Sequence, residues 1–170
     1  FSATVPFNTA ANIDLNSAVS GAVTSFAIAS QPTKGTLTLN GSTVTYTPNA
    51  GYFGPDSFTY TASGPGGTSG AATVTLTVAT PGAPTVAARS VTVPFNTVTA
   101  IDLTSSISGV ATSVTVTVAP LNGTVTVSGK VVTYTPKAGY FGADVFSYTA
   151  TGPGGTSMPA DVTVTVATQI

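Results

Sequence analysis

The sequence predicts an all-β protein built as two tandem β-sandwiches of about seven strands each, and three observations predict it. The first is duplication. Ser2 through Thr80 aligns with Ser90 through Thr168 at a constant offset and without a gap, and well over half of the aligned pairs are identical. Gly35/Gly123, Tyr46/Tyr134, Pro48/Pro136, Asp56/Asp144, Phe58/Phe146, Tyr60/Tyr148 and Gly67/Gly155 all fall on that alignment. The second is a hydrophobic period of two in short runs separated by Gly, Pro, Asn and Ser, which is the pattern of half-buried strands and turns. The third is that no stretch carries the 3.6-residue apolar period of a helix. Each copy exceeds the ~20–50 residues of a solenoid repeat and approaches the ~100 residues of a sandwich that folds alone. The expected organisation is therefore a first module over 1–80, a linker over 81–89 and a second module over 90–170.

Within the first copy the elements follow in order. Ala3 to Phe7 contains Pro6 and suits an edge strand, because proline cannot donate to a ladder. Ile13 to Leu15 is a short strand fragment, and Val23 to Ser30 alternates Thr24, Phe26 and Ile28 against Ser25, Ala27 and Ala29. Thr36 to Leu39 and Val44 to Thr47 flank Asn40-Gly41, a pair suited to the positive φ angles of a type I′ turn; the second copy keeps the glycine as Ser128-Gly129. Pro48 ends that strand, and Asn49 through Asp56 forms a structured corner. Ser57 to Ala62 buries Phe58 and Tyr60, Ser63 to Gly70 reads as a loop, and Thr73 to Val78 buries Val74, Leu76 and Val78. About seven strands per copy is the number of an Ig-like sandwich. Between the copies, Thr80-Pro81-Gly82-Ala83-Pro84-Thr85 reads as a semi-rigid spacer, giving an elongated pair.

Composition excludes more than it assigns. Charged residues are 5% of the chain, four Lys or Arg against five Asp, with no Glu. Nucleic-acid binding needs several clustered cations to neutralise phosphates, and Lys34, Arg89, Lys130 and Lys137 are dispersed. With no His and no Cys there is no imidazole base, thiolate nucleophile, disulfide or zinc site of the usual ligand sets. No run of 18 apolar residues occurs, so membrane insertion is not expected. No signal peptide begins at Phe1, and the chain is read as a piece of a longer secreted protein.

Few residues are left to carry chemistry. Asp56 and Asp144 each sit in a Gly-Tyr-Phe-Gly-x-Asp corner; one carboxylate per corner falls short of the several oxygens a hard cation takes, and Asp in turns accepts backbone N–H groups. Asp14 and Asp102 are followed by Ser, Thr and Asn where calcium would need carboxylates. The same singletons fail as the paired acids of glycoside hydrolysis. Gly64-Pro65-Gly66-Gly67-Thr68-Ser69 lacks the Lys and the following helix of a phosphate loop, and serves as a turn. The rows Thr36/Thr38, Thr43/Thr45/Thr47 and Thr73/Thr75/Thr77 are explained by strand propensity, with a flat surface for sugars, ice or a neighbouring copy as the alternative. Lys34 and Lys130 are not equivalent positions, which argues against a shared isopeptide bond. Tyr52-Phe53 and Tyr140-Phe141 are read as packed corner aromatics, a reading an exposed ring would change in favour of sugar stacking. No catalytic, metal or cofactor-binding residue is assigned.

The run from Pro120 to Thr149, its counterpart from Pro32 to Thr61, the Gly-Pro-Gly-Gly-Thr loop and the final Val-Thr-Val-Thr-Val strand resemble the tandem bacterial Ig-like, cadherin-like repeats of large surface adhesins. The resemblance covers nearly the whole chain. It implies secreted modules strung between a cell-surface anchor and a distal binding region, at an extracellular or cell-surface location. Where many such repeats carry an Asp-rich calcium run, this chain reads Asp102-Leu-Thr-Ser-Ser-Ile-Ser-Gly, so calcium stiffening does not transfer. The expected function is a non-catalytic structural spacer, with no enzyme activity and no cofactor. The expected partners are neighbouring repeats, with lateral self-association into a filament or matrix as one alternative and a carbohydrate-binding accessory role as another.

Overall fold

The computed structural model describes residues 1–169 and divides them into two compact units, Phe1–Thr80 and a second beginning at Pro81. In the first unit the strands are β1 (Ser2–Val5), β2 (Ala11–Asp14), β3 (Ser25–Ser30), β4 (Gly35–Asn40), β5 (Thr43–Pro48), β6 (Gly54–Gly64), β7 (Gly67–Thr68) and β8 (Ala72–Val78). One sheet has the order β1-β8-β6-β3, with β7 folded back on β6, and the other has the order β2-β5-β4. Only a short 3₁₀ turn, Leu15–Ala18, interrupts the all-β architecture. β1 stops at Val5, just ahead of Pro6, and lies at the edge of its sheet, where a missing donor costs least.

The inner faces are written in the alternation. Along β8, Val74, Leu76 and Val78 are buried while Thr73, Thr75 and Thr77 face water. They meet Val5, Ile13, Leu15, Val44, Tyr46, Phe58 and Tyr60 in a single core, with Phe26 and Ile28 of β3 packed against it. Phe26 and Tyr60 rings lie 6.0 Å apart at 51°. At roughly 2–3 kcal/mol per large apolar side chain, this burial is the main stabilising term of the module.

The second unit repeats the plan. Its strands are β9 (Thr85–Val86), β10 (Arg89–Val93), β11 (Thr99–Asp102), β12 (Ile107–Ser108), β13 (Ser113–Val118), β14 (Gly123–Ser128), β15 (Val131–Pro136), β16 (Gly142–Gly152), β17 (Gly155–Thr156) and β18 (Ala160–Val166). The large sheet is β10-β18-β16-β13 and the small one β11-β15-β14, around a core containing Tyr134, Phe146 and Tyr148.

Three local readings differ from the sequence expectation. The hairpin turn is centred one residue later: Asn40 pairs with Thr43, leaving Gly41-Ser42 as the loop. Gly41 has φ 61° and Gly129 φ 60°, with no positive φ at Asn40 or Ser42, so the turn belongs to the II′ class, which needs glycine only at its first position. That is why Asn40 can be Ser in the other copy. The segment Ser63 to Gly70 is not a loop throughout: β6 runs on to Gly64, and Ser63 pairs with Thr68 across a Pro65-Gly66 turn.

The third difference concerns 81–89. This stretch packs onto the second module and adds to it. Val86 pairs with Ile107 and Thr85 with Ser108, the Ala87 amide donates to the Ser106 carbonyl at 2.9 Å, and Tyr148 Oη donates to the Ala87 carbonyl at 2.9 Å. The two prolines suggest a solvated spacer, but Pro84 is buried and Val86 reaches the core, and that apolar burial outweighs the freedom of a linker.

Candidate functional site

The most concentrated polar chemistry in each module lies at the corner between its two sheets. Asp56 Oδ1 accepts the amides of Thr33 (3.1 Å) and Ser57 (2.9 Å), and Oδ2 accepts the Lys34 amide (2.9 Å) and Tyr46 Oη (2.8 Å). Asp144 does the same with Leu121 (3.0 Å), Val145 (3.0 Å), Asn122 (2.9 Å) and Tyr134 Oη (2.8 Å). Each carboxylate thus joins the loop before β4 or β14, the strand β5 or β15 and the start of β6 or β16. Burial pushes the Asp56 carboxyl up, but hydrogen bonds from Tyr46, Thr33, Ser57 and Lys34 together hold it below its ordinary value of 3.8. Burial first, and then the Asp56 carboxylate, push the Tyr46 phenol well above its usual range; the same two causes act on Tyr134. With every near oxygen already accepting, the carboxylates work as cross-links within the fold.

The other carboxylates are used locally. Asp14 Oδ1 accepts the Asn16 amide at 3.0 Å and Asp102 Oδ1 the Thr104 amide at 2.9 Å, each closing a short turn after a strand. Hydrogen bonds from Thr104, assisted by Arg89 and Lys130, hold Asp102 below its ordinary value. Asp161 Oδ1 accepts Ser147 Oγ at 2.6 Å. Among the described residues no three of His, Cys, Asp and Glu converge. Lys137 Nζ donates to the Leu121 carbonyl at 2.6 Å, and Lys34 Nζ lies 5.9 Å from the centroid of the Tyr52 ring.

The corner aromatics split. Tyr52 and Tyr140 are half-buried and donate to the carbonyls of Pro55 and Ala143, closing the corner. Phe53 and Phe141 turn outward, 41% and 59% exposed, so the expectation of packing holds for the tyrosines and not for the phenylalanines. Sequence reasoning missed Asn8 and Asn96. Both adopt the left-handed region (φ 52° and 51°), and their Oδ1 atoms accept the amides of Gly51 (2.7 Å) and Gly139 (2.8 Å), pinning the corner loop to the turn after the first strand. The signal was present in the repeated Pro-Phe-Asn-Thr, since Asn is the residue other than glycine that best tolerates this conformation.

A concavity of the first module, about 490 Å³, lies between the segment Ala18–Val23 and the Gly64–Gly70 turn, with Tyr60 in its lining. Its lining is uncharged and, apart from Tyr60, made of small residues. In the second module the corresponding surface is occupied by β9 and its flanks.

In both units the strand that opens the large sheet, β1 or β10, pairs in parallel with the last strand, a second sheet of three strands covers the core, and a buried Asp ties the sheets together. The profile of a family described as bacterial Ig domain matches residues 2–77 and again 81–165. The chain belongs to the bacterial Ig domain family. Both the second family match and the second compact unit begin at residue 81, ahead of the expected linker's end. Among solved structures, the two bacterial Ig domains are similar to human CDH23 EC21-23, at 13% identity over 98% of this chain and 72% of that one, with a TM-score of 0.46. Human mucin-like protocadherin EC1-2 is 11% identical over 99% and 96%, with a TM-score of 0.45. The endo-fucoidan hydrolase MfFcnA4 from glycoside hydrolase family 107 is 18% identical over 99% of this chain, with a TM-score of 0.43, and the chain spans 28% of its length. No curated protein sequence matches the chain. Among the described residues no helix is long and apolar enough to cross a membrane.

Proposed function

We propose that these two bacterial Ig domains form a non-catalytic structural spacer in a bacterial extracellular adhesin or surface protein. One observation carries the reading: in each module the last strand lies parallel beside the strand that opens the large sheet, β1 with β8 and, after the short β9, β10 with β18. Because they run in the same direction, the chain enters a module at one end and leaves it at the other. Tension applied through the chain then shears the whole ladder at once, instead of peeling it bond by bond. The ladder spans Ser2↔Thr75 to Val5↔Val78 in one module and Arg89↔Val162 to Val93↔Val166 in the other. The corner carboxylates add to this by fastening the second sheet to the first. Absence of enzymatic activity fits the same picture, since the Asp side chains are held in hydrogen bonds that serve the fold.

Single-molecule extension of the chain tests the reading. The expected record is two discrete unfolding events, each releasing one module, with the force of the first lowered by Ala3→Pro, which deprives the β1–β8 ladder of a donor. Smooth extension without force peaks would overturn it.

A second reading is supported by the surface of the second module, where Leu121, Met158, Phe141, Val98 and Val118 are 79%, 83%, 59%, 58% and 56% exposed. With charge so scarce, little electrostatic repulsion opposes contact between copies. Self-association through these exposed apolar side chains predicts a sedimentation coefficient that rises with concentration and stops rising in Leu121→Lys; a concentration-independent monomer would remove it.

A further inference from the structure

Two equivalent surfaces of these bacterial Ig domains differ in one respect. In the second domain Pro81–Ala87 lies across the surface as an added strand; in the first domain the same surface is an open groove. We propose that this groove is a docking site for an extended, uncharged, proline-containing linker of the Pro81–Ala87 type that leads into the first domain and joins β3's preceding segment as an extra strand at Val19–Ser20.

Three sets of residues support the assignment. The first is the tyrosine in the lining. Tyr148 is fully buried and donates to the Ala87 carbonyl at 2.9 Å. Its counterpart Tyr60 is 2% exposed, lines the groove, and makes no hydrogen bond among the described residues. Since no buried side-chain polar atom among the described residues lacks a partner, the Tyr60 hydroxyl opens onto the groove, where it is free to donate to a carbonyl brought from outside.

The second is the glycines. A Cβ on Gly154 would sit 2.2 Å from the Pro81 carbonyl oxygen and 2.3 Å from that of Gly82, so glycine there is required by the seated segment. Gly66 occupies the same place in the first domain with nothing within 4 Å and no positive φ, so neither space nor backbone accounts for it there. A Cβ on Gly109 would lie 3.3 Å from Pro84 Cα and one on Gly155 3.6 Å from Ala83 Cβ, which marks how closely the segment is seated, while the space at Gly21 and Gly67 is open; the positive φ of all four asks for glycine by itself.

The third is the edge itself. Ile107–Ser108 pairs with Thr85–Val86, and Val19–Ser20, the aligned residues, follow their 3₁₀ turn with no strand partner. Addition of a strand to such an edge gives affinity through main-chain hydrogen bonds. The groove contains no charged side chain, which suits an occupant such as Pro-Gly-Ala-Pro-Thr-Val-Ala. Reach is also settled by the second domain: Ala88 alone joins the seated segment to Arg89, and Arg89 aligns with Phe1.

The test places a copy of Pro81–Ala88 directly ahead of Phe1 in the 170-residue chain, beside a control with a Gly/Ser extension of the same length. Hydrogen exchange is read by mass spectrometry over Val19–Val23 and Gly64–Ser69. The expected result is exchange slowed about tenfold by the Pro81–Ala88 copy, as one or two added net hydrogen bonds give, and unchanged by the Gly/Ser extension. Gly66→Ala should abolish the slowing in the extended chain while leaving the unextended chain folded with its original exchange. Equal exchange with both extensions, or slowing that survives Gly66→Ala, would overturn the assignment. Protection that depends on protein concentration in the unextended chain would assign the groove to a second copy instead, and would equally overturn it.

Discussion

The two modules agree at their corners and differ at their grooves. Asp56 and Asp144 accept the same four hydrogen bonds within 0.1 Å of one another at each position. Around Tyr60 and Tyr148, by contrast, aligned residues have different neighbours because only the second module carries β9. The lesson is that duplicated residues do not have duplicated jobs. Gly154 is sterically required and Gly66 is not, although the sequence around them is the same.

The corner should give the largest effect and the most even one. Asp144→Ala leaves the amides of Leu121 and Asn122 and the Tyr134 hydroxyl without their acceptor, and Asp56→Ala does the same to Thr33, Lys34 and Tyr46. Each should cost about 3–4 kcal/mol in urea unfolding. A large loss in one module with none in the other would break the equivalence of the corners. The pH dependence has a definite sign. Because folding lowers the Asp56 carboxyl below 3.8, its contribution is complete above that pH and is lost as pH falls through the folded value. Acid unfolding followed by circular dichroism should show this loss, and Asp56→Asn should flatten it.

The groove should then separate the modules. Gly154→Ala forces a Cβ into the backbone of Pro81 and Gly82 and should destabilise the second module by about 2 kcal/mol. Gly66→Ala should be neutral or stabilising by about 0.4 kcal/mol, since open space leaves only the reduced freedom of the unfolded chain. Equal losses at the two sites would mean that β9 is not seated as described. A smaller loss than that of Gly154→Ala sharpens the same contrast: Tyr148→Phe removes the bond to Ala87 and should cost about 1 kcal/mol, whereas Tyr60→Phe should leave the melting temperature unchanged.

Much of this was legible beforehand where a local rule decides. Period-two alternation along Thr73 to Val78 placed Val74, Leu76 and Val78 inside, because a strand has two faces and one core. The Asp corner was readable because Asp in a glycine-rich turn has backbone amides within reach. The Asn40-Gly41 turn was misplaced by one residue because a dipeptide preference does not set register; the pairing of Leu37 with Tyr46 and Leu39 with Val44 across the hairpin does.

By itself the sequence determined that there are two modules, that both are all-β, that Phe58, Tyr60, Val74, Leu76 and Val78 face the core, and that reactive side chains are too few and too scattered for the familiar catalytic constellations. Only the tertiary structure decided that β1 and β10 lie parallel beside the last strands β8 and β18, that Phe53 and Phe141 turn outward, and that Pro81–Ala87 belongs to the second sandwich. The reason is physical: alternation and turn chemistry act between residues a few positions apart, whereas strand order and the seating of a proline-rich segment depend on surfaces that exist only after distant parts of the chain have packed.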